Sequence, residues 1–178
     1  MPMYQKILQK QKASKYLNEI DFNKAFSSSM DRPFETAKII LQNKSNIAIT
    51  KIENLVEISH GLWEGKLENE IKEQWPELLK NWHEKPEDVI MPEGECIGEV
   101  SKRSVKAWEE ICLGQKNKDL TLLVAHDAVN KTLICNILGI DFSNIWMIKQ
   151  GNGGISIIDI FDDPNKDNVI SALNITTH

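Results

Sequence analysis

A short apolar run in the last third of the chain constrains the fold most. Residues 120–125 read Leu-Thr-Leu-Leu-Val-Ala, which is apolar on both faces of an extended strand, and His126 and Asp127 follow directly. A helical pattern then continues to Leu138. A strand that is apolar on both faces is typical of a parallel sheet covered by helices on each side. We therefore predict a buried parallel strand that leads straight into a helix.

Strands and helices alternate along the rest of the chain. The pattern predicts strands at residues 24–27, 47–52, 155–161 and 169–175, with the last two completing the same sheet. It predicts helices at residues 7–17, 31–42, 67–83 and 97–113. This order favours an α/β fold, a three-layer α/β/α sandwich with a mostly parallel sheet, whose ligands bind beyond the carboxyl ends of the strands.

Composition limits the classes of partner. With 178 residues, 41% of them apolar, the chain is predicted to form a single domain over residues 1–178. A net charge of -5 argues against nucleic acid, because binding to a phosphate backbone needs a basic surface. Residues 1–17 are charged throughout, unlike a signal peptide, and no stretch is apolar enough to span a membrane. The three cysteines form no CxxC pair, so we expect a cytoplasmic protein without metal or cofactor.

His126 is a candidate for phosphate binding. It stands where the buried strand ends, and Asp127 after it could cap the helix, so the imidazole would lie beside backbone N–H groups that attract an anion. The alternative is a histidine packed under a loop.

Arg32 follows the strand that ends in Ser27 and Ser28, again at a junction between strand and helix. A guanidinium at that edge of the sheet could bind phosphate through two parallel hydrogen bonds. The alternative is a surface ion pair with Asp31 or Glu35.

Glu57 is a candidate acid. It follows the apolar pair Leu55 and Val56 and precedes a glycine-bearing loop, so its carboxyl group could be partly buried, with a raised pKa, and able to protonate a leaving oxygen. The alternative is a solvated loop glutamate. His60 and Trp63 lie in the same loop and adjoin the predicted site, whereas the other tryptophans are predicted to belong to the core.

Five segments, taken in order, resemble successive motifs of the histidine phosphatase (phosphoglycerate-mutase-like) superfamily, most closely its cyanobacterial branch. They read SSSMDRPFETAKII, LVEISHGLWEG, MPEGE, LLVAHDAVNK and QGNGGISIIDI. The resemblance makes Arg32 the pocket arginine, Glu57 the proton donor and His126 the second histidine, and it adds Ser28, Trp63 and Asp127 to the substrate-binding side. Asp127 stands where the wider family has glycine, so either it turns away as a helix cap or it alters the choice of substrate.

The same resemblance implies a nucleophile that this sequence does not contain. In that family a central first strand ends in Arg-His-Gly, and its histidine attacks the phosphoester to form a phosphohistidine that water hydrolyses. No Arg-His-Gly occurs in the 178 residues, so the resemblance implies an N-terminally truncated domain whose sheet lacks its first strand. Two neighbouring strands would then have unpaired backbone groups, unless self-association or a second domain supplies the strand.

Two functions follow from the resemblance. The first is a phosphatase of small phosphorylated metabolites, such as a sugar or acid phosphate or α-ribazole phosphate, impaired by the absent nucleophile. The second is an inactive module that binds a phosphorylated ligand or a partner.

Overall fold

The computed structural model describes residues 13–44, 46–161, 163 and 165–176. Its strands are β1 (Lys24–Ser28), β2 (Ile49–Ile52), β3 (Thr121–Val124), β4 (Ile155–Asp159) and β5 (Val169–Ile175). Its longer helices are α1 (Asp31–Leu41), α2 (Glu68–Gln74), α3 (Pro76–Glu84), α4 (Ile97–Leu113) and α5 (Asp127–Leu138), and 3-10 turns cover Glu53–Leu55, Gly61–Trp63, Pro86–Asp88 and Phe142–Met147. Residues 13–16 are helical, and the first part of the helix predicted for residues 7–17 lies outside the described residues.

β1, β2 and β3 form a parallel sheet with β1 in the centre, in the order β2-β1-β3. Ala25 of β1 lies opposite Ile49 and Leu122, so the two outer strands are in register with the central one. The sheet has two covered faces because side chains alternate along a strand. Ala25 and Leu122 pack with Leu17, Ile40 and Leu41 on one face.

The other face of the sheet packs on the larger hydrophobic core. Phe26 and Leu123, the next residues along β1 and β3, contact this core, which contains Val100 of α4 and Val129 of α5. Helices therefore cover both faces of a parallel sheet, which confirms the α/β prediction. No helix of the described residues is long and apolar enough to cross a membrane.

The prediction that the last two strands complete the same sheet is wrong. β4 and β5 pair with each other, antiparallel, as a separate two-stranded sheet. The chain between them, residues 160–168, is too short for the helical crossover that a parallel arrangement needs. Alternate residues of β5 face outward, as expected for a strand covered on one face only.

The helix predicted over residues 67–83 is two helices. α2 ends at Gln74 and α3 begins at Pro76, with Trp75 between them in a non-helical conformation (φ -138°, ψ 59°). Proline disfavours a helical residue before it and cannot donate the backbone hydrogen bond that a continuous helix requires, yet it suits the first turn of a new helix. The helix predicted over residues 97–113 is confirmed as α4.

A cavity of about 2240 Å³ lies between the two sheets. Residues of β3 and β4 line it, whereas none of β1, β2 or β5 does. Ile40 of α1 lies on one wall, and Trp108 of α4 and Leu133 of α5 lie on another. Within the described residues, β3 and β4 each pair along one edge only, so unpaired backbone groups border this cavity.

Candidate active site

The candidate residues lie at the carboxyl ends of three parallel strands. Ser28 ends β1 and Arg32 lies in the first turn of α1, whereas Glu57 follows β2 and His126 follows β3. Because the three strands are parallel, the segments after them meet at one edge of the sheet. Arg32, Glu57, His126 and Asp127 all line the cavity at this edge.

His126 is the centre of the site, and its side chain is only 1% exposed. Its Nδ1 lies 3.4 Å from Nη2 of Arg32 and 3.9 Å from Oε2 of Glu57. Its Nε2 lies 2.9 Å from the hydroxyl oxygen of Ser28. The structure therefore places three of the predicted residues, Ser28, Arg32 and Glu57, around the imidazole ring of a fourth, His126.

The imidazole of His126 is neutral at neutral pH. Burial, together with the positive charges of Arg32 and Arg103, lowers its pKa from 6.5 to about 4. The 3.9 Å approach to Glu57 is therefore not an ion pair at pH 7. A neutral ring can donate one hydrogen bond and accept another, so the bonds of its two nitrogens determine what it offers to a ligand.

Glu57 has the properties of a proton donor. Burial raises the pKa of its carboxyl group, and the negative charge of Asp127 also raises it. The backbone N–H groups of Ile58, Ala128 and Asp127 act in the opposite direction, and that of Ile58 donates to Oε1 at 3.1 Å. A carboxyl group with a raised pKa keeps its proton closer to neutral pH and can deliver it to a leaving oxygen.

Ser28 lies behind the imidazole. It is fully buried and does not line the cavity. The order Ser28–His126–Glu57 looks like a catalytic triad, but a hydroxyl without exposed surface cannot reach a substrate. Its oxygen also accepts the N–H of Met30 at 3.3 Å, so the hydroxyl is fixed and orients the ring of His126.

Arg32 points towards the imidazole rather than along its own helix. Within the described residues it forms no ion pair with Asp31 or Glu35, and the Glu35 carboxylate pairs with Lys38 at 2.7 Å. The guanidinium is therefore available to an anion in the cavity.

The prediction that Asp127 caps the helix is wrong. His126 occupies the N-cap position of α5 and Asp127 is the first helical residue. The Asp127 carboxylate pairs with Nζ of Lys131, one turn along, at 2.9 Å, and that ammonium also lies 5.1 Å from the ring centroid of Trp146. The lysine offsets a negative charge that would otherwise face an anion.

The other loop candidates lie elsewhere. Trp63 is 5% exposed, packs against Trp75 and Trp82 at centroid distances of 6.5 and 6.4 Å, and does not line the cavity. His60 has Nδ1 3.1 Å from the sulfur of Met91. The structure does not bring either residue to the imidazole of His126.

Arg103 and Glu95 also support the site and are not among the residues predicted from the sequence. Arg103 donates hydrogen bonds to the Glu95 carboxylate and to three carbonyl groups of the segment that carries Glu57. A signal was present, because Arg103 stands between Val100 and Ala107 on a helix whose buried positions are otherwise apolar or small. A charged residue on that side of a helix indicates a buried partner.

The described part of the chain contains no cluster of side chains that could bind a metal ion. No three histidine, cysteine, aspartate or glutamate side chains there cluster as metal ligands would.

A sequence profile identifies the family. The profile of the histidine phosphatase superfamily (branch 1) matches residues 7–175. The chain belongs to the histidine phosphatase superfamily. This confirms the resemblance drawn from the motifs, while the cyanobacterial branch stays a prediction.

Two relatives and one solved structure show how much of this histidine phosphatase superfamily member is similar to known proteins. Phosphoserine phosphatase 1 of Hydrogenobacter thermophilus is 33% identical over 153 residues, which are 86% of this chain and 70% of that protein. The 2-carboxy-D-arabinitol-1-phosphatase of Triticum aestivum is 31% identical over 80% of this chain, which spans only 28% of the wheat protein. The alpha-ribazole phosphatase of Shigella flexneri superposes with a TM-score of 0.83 over 96% of this chain and 82% of that one, at 23% identity, which shows the shared fold.

Proposed function

We propose that this protein acts in the hydrolysis of small phosphomonoesters and that Arg32, His126 and Glu57 hold the phosphoryl group and protonate the leaving oxygen. One observation carries the proposal. The three side chains follow three different strands, yet Arg32 and Glu57 lie 3.4 and 3.9 Å from the same imidazole nitrogen of His126, on the wall of one cavity. Phosphoryl transfer depends mainly on positioning and charge stabilisation, which a guanidinium and an oriented imidazole provide.

Each residue has a chemical task in this proposal. Arg32 neutralises charge on the phosphoryl oxygens. In the tautomer whose Nε2 accepts the hydroxyl hydrogen of Ser28, the neutral imidazole of His126 donates its Nδ1–H to the same oxygens. When a nucleophile bonds to phosphorus and the bond from phosphorus to the ester oxygen breaks, the Glu57 carboxyl group gives its proton to that oxygen. The resulting carboxylate takes a proton from the water that hydrolyses the phosphorylated intermediate, which restores the acid.

The nucleophile is proposed to arrive on an extended segment seated between β3 and β4. Both strands border the cavity with unpaired edges, helices line its walls, and the cavity reaches Arg32 and His126. An added strand would satisfy the backbone groups of both edges at once. The family resemblance assigns the attack to a histidine in Arg-His-Gly, which the segment would carry, whether it comes from a second domain or from another chain.

The proposed substrates are small metabolites with one phosphoester. The names of the relatives support this class, since they specify phosphoserine, 2-carboxy-D-arabinitol 1-phosphate and, for a relative of Escherichia coli that is 24% identical, alpha-ribazole phosphate. We place the activity in the cytoplasm, which fits three cysteines that are all free.

The test is an assay of phosphate release from p-nitrophenyl phosphate and phosphoserine. It compares the 178-residue chain with a version extended by the codons in frame upstream of Met1, and each form is also made with Arg32→Ala and His126→Ala. We expect hydrolysis only in a form that carries a strand bearing Arg-His-Gly. Both substitutions should abolish it. Activity that is unchanged in Arg32→Ala would refute the proposed site.

A second candidate function is a phosphate-binding module without turnover. It is favoured by a site in which Arg32, Glu57 and His126 are assembled within this chain. It predicts thermal stabilisation by inorganic phosphate that is lost in Arg32→Ala, with no hydrolysis in either form of the chain.

A further inference from the structure

Arg103 uses all of its hydrogen-bond donors within one small region. Nε and Nη2 donate to the two carboxylate oxygens of Glu95 at 2.8 and 2.9 Å. Nη1 donates to the carbonyl groups of Asn54 and Val56 at 3.0 and 2.6 Å, and Nη2 also donates to that of Glu57 at 3.2 Å. A guanidinium has five N–H groups in a planar fork, so this set of five bonds fixes both the fork and the backbone that it holds.

Glu95 extends the same network to the other side of Glu57. Its Oε2 accepts the N–H of Ser59 at 2.9 Å, and its own N–H donates to the Ser59 carbonyl at 2.9 Å. Burial alone would raise the pKa of Glu95, but the hydrogen bonds from Arg103 and Ser59 outweigh it and lower the pKa below its usual range. The carboxylate therefore stays charged as a partner for Arg103.

The backbones of residues 59–62 and 92–95 pack directly on each other. Gly61 has φ +53°, and a Cβ there would overlap the carbonyl oxygen of Pro92. A Cβ on Gly94 would lie 2.5 Å from the carbonyl oxygen of Ser59. Such close packing leaves little freedom for the loop that begins after Glu57.

We propose that Arg103 and Glu95 are positioning residues that hold the Glu57 carboxyl group against the imidazole of His126. This inference depends on the proposed role of Glu57 as acid. The two residues bind the backbone on either side of Glu57. They therefore fix the direction in which the Glu57 side chain leaves the backbone. Arg103 is far from Glu57 in the chain and reaches it from α4, which also packs against α5, the helix that follows His126. α4 thus supports both sides of the site: Arg103 holds the backbone at Glu57, and the contact of α4 with α5 supports the helix that follows His126.

The first test measures the titration of the Glu57 carboxyl group by side-chain carbon NMR, without substrate. Burial raises the pKa of this group, so a carboxyl released to solvent should titrate closer to the ordinary value of 4.5. We expect this fall in Arg103→Met and a smaller fall in Arg103→Lys, which keeps the charge beside Glu95 but cannot reproduce the five bonds.

Two controls separate positioning from general stability. Lys102→Met removes an exposed positive charge one residue earlier on α4, and Val100→Ala opens a void by shortening a fully buried side chain of the same helix. Both should leave the Glu57 titration as in the wild type, although Val100→Ala lowers the melting temperature. A Glu57 titration that is unchanged in Arg103→Met, or that shifts equally in Val100→Ala, would overturn the proposal.

The second test is kinetic and uses whichever form of the protein hydrolyses a phosphomonoester. Misplacing a catalytic group by about 1 Å costs on the order of 100-fold in rate, so Arg103→Lys should lower kcat strongly at a similar KM. An unchanged kcat would overturn the positioning role. If no form of the protein is active, the proposed hydrolysis fails while the NMR titration still decides the role of Arg103.

Discussion

The low pKa of His126 makes the folded protein sensitive to mild acid. The ring has a pKa of about 4 in the folded chain, against 6.5 for an ordinary histidine. Between these two values the unfolded chain binds a proton that the folded chain does not, so acid favours unfolding. Stability therefore falls as the pH drops below 6.5 and levels off below pH 4. At about 1.4 kcal/mol per pH unit, the full loss is about 3.5 kcal/mol, and about 2.5 kcal/mol of it is present at pH 4.5.

The measurement is urea denaturation of the wild type and of His126→Gln at pH 7 and pH 4.5. Glutamine can still reach the hydroxyl of Ser28 but does not titrate, while the other ionisable groups remain in both proteins. We expect the free energy of unfolding of the wild type to fall by about 2.5 kcal/mol more than that of His126→Gln. Equal acid losses in the two proteins would show that the ring is not held neutral in the folded state, and would refute the reasoning for the site.

Three further outcomes follow from the site and its supports. Arg32→Ala should weaken inorganic phosphate binding by about 10- to 100-fold in calorimetry, as expected for lost charge-assisted hydrogen bonds, while Lys38→Ala, on the same helix, should not change it. Lys131→Met should weaken phosphate binding several-fold, more at low salt, because Asp127 then faces the anion without its partner; equal affinity would contradict this. Gly61→Ala should lower the free energy of unfolding by at least about 1–3 kcal/mol in urea, because its φ of +53° strains alanine and the added Cβ has no room; wild-type stability would contradict it.

The catalytic candidates could be predicted because they depend on simple topology. Arg32, Glu57 and His126 each follow a predicted strand, and parallel strands bring their carboxyl ends to one edge whatever the details of packing. The sequence patterns also located β1, β3 and α4, whose apolar and β-branched residues agree with the packing in the structure.

The residues that support the site could not be predicted in the same way. Arg103 holds backbone carbonyl groups that lie 46 to 49 residues earlier, and backbone groups have no sequence signature. The pairing of β4 with β5 also depends on a connection that the strand patterns alone do not specify. The cap predicted at Asp127 is wrong because the helix begins one residue earlier than that prediction requires and its carboxylate pairs with Lys131, a contact that local capping preferences do not include.

The division of the strands into two sheets has a consequence for cooperativity. Within the described residues, the strand ladder of β4 and β5 joins these two strands only to each other, so this hairpin can open without breaking the ladder of β1, β2 and β3. Its backbone amides should then exchange with deuterium sooner than those of β1, which has a neighbour on both sides. Any polypeptide that bridges β3 and β4 would join two separate unfolding units into one. The backbone amides of both sheets should then exchange with deuterium more slowly when the cavity is occupied.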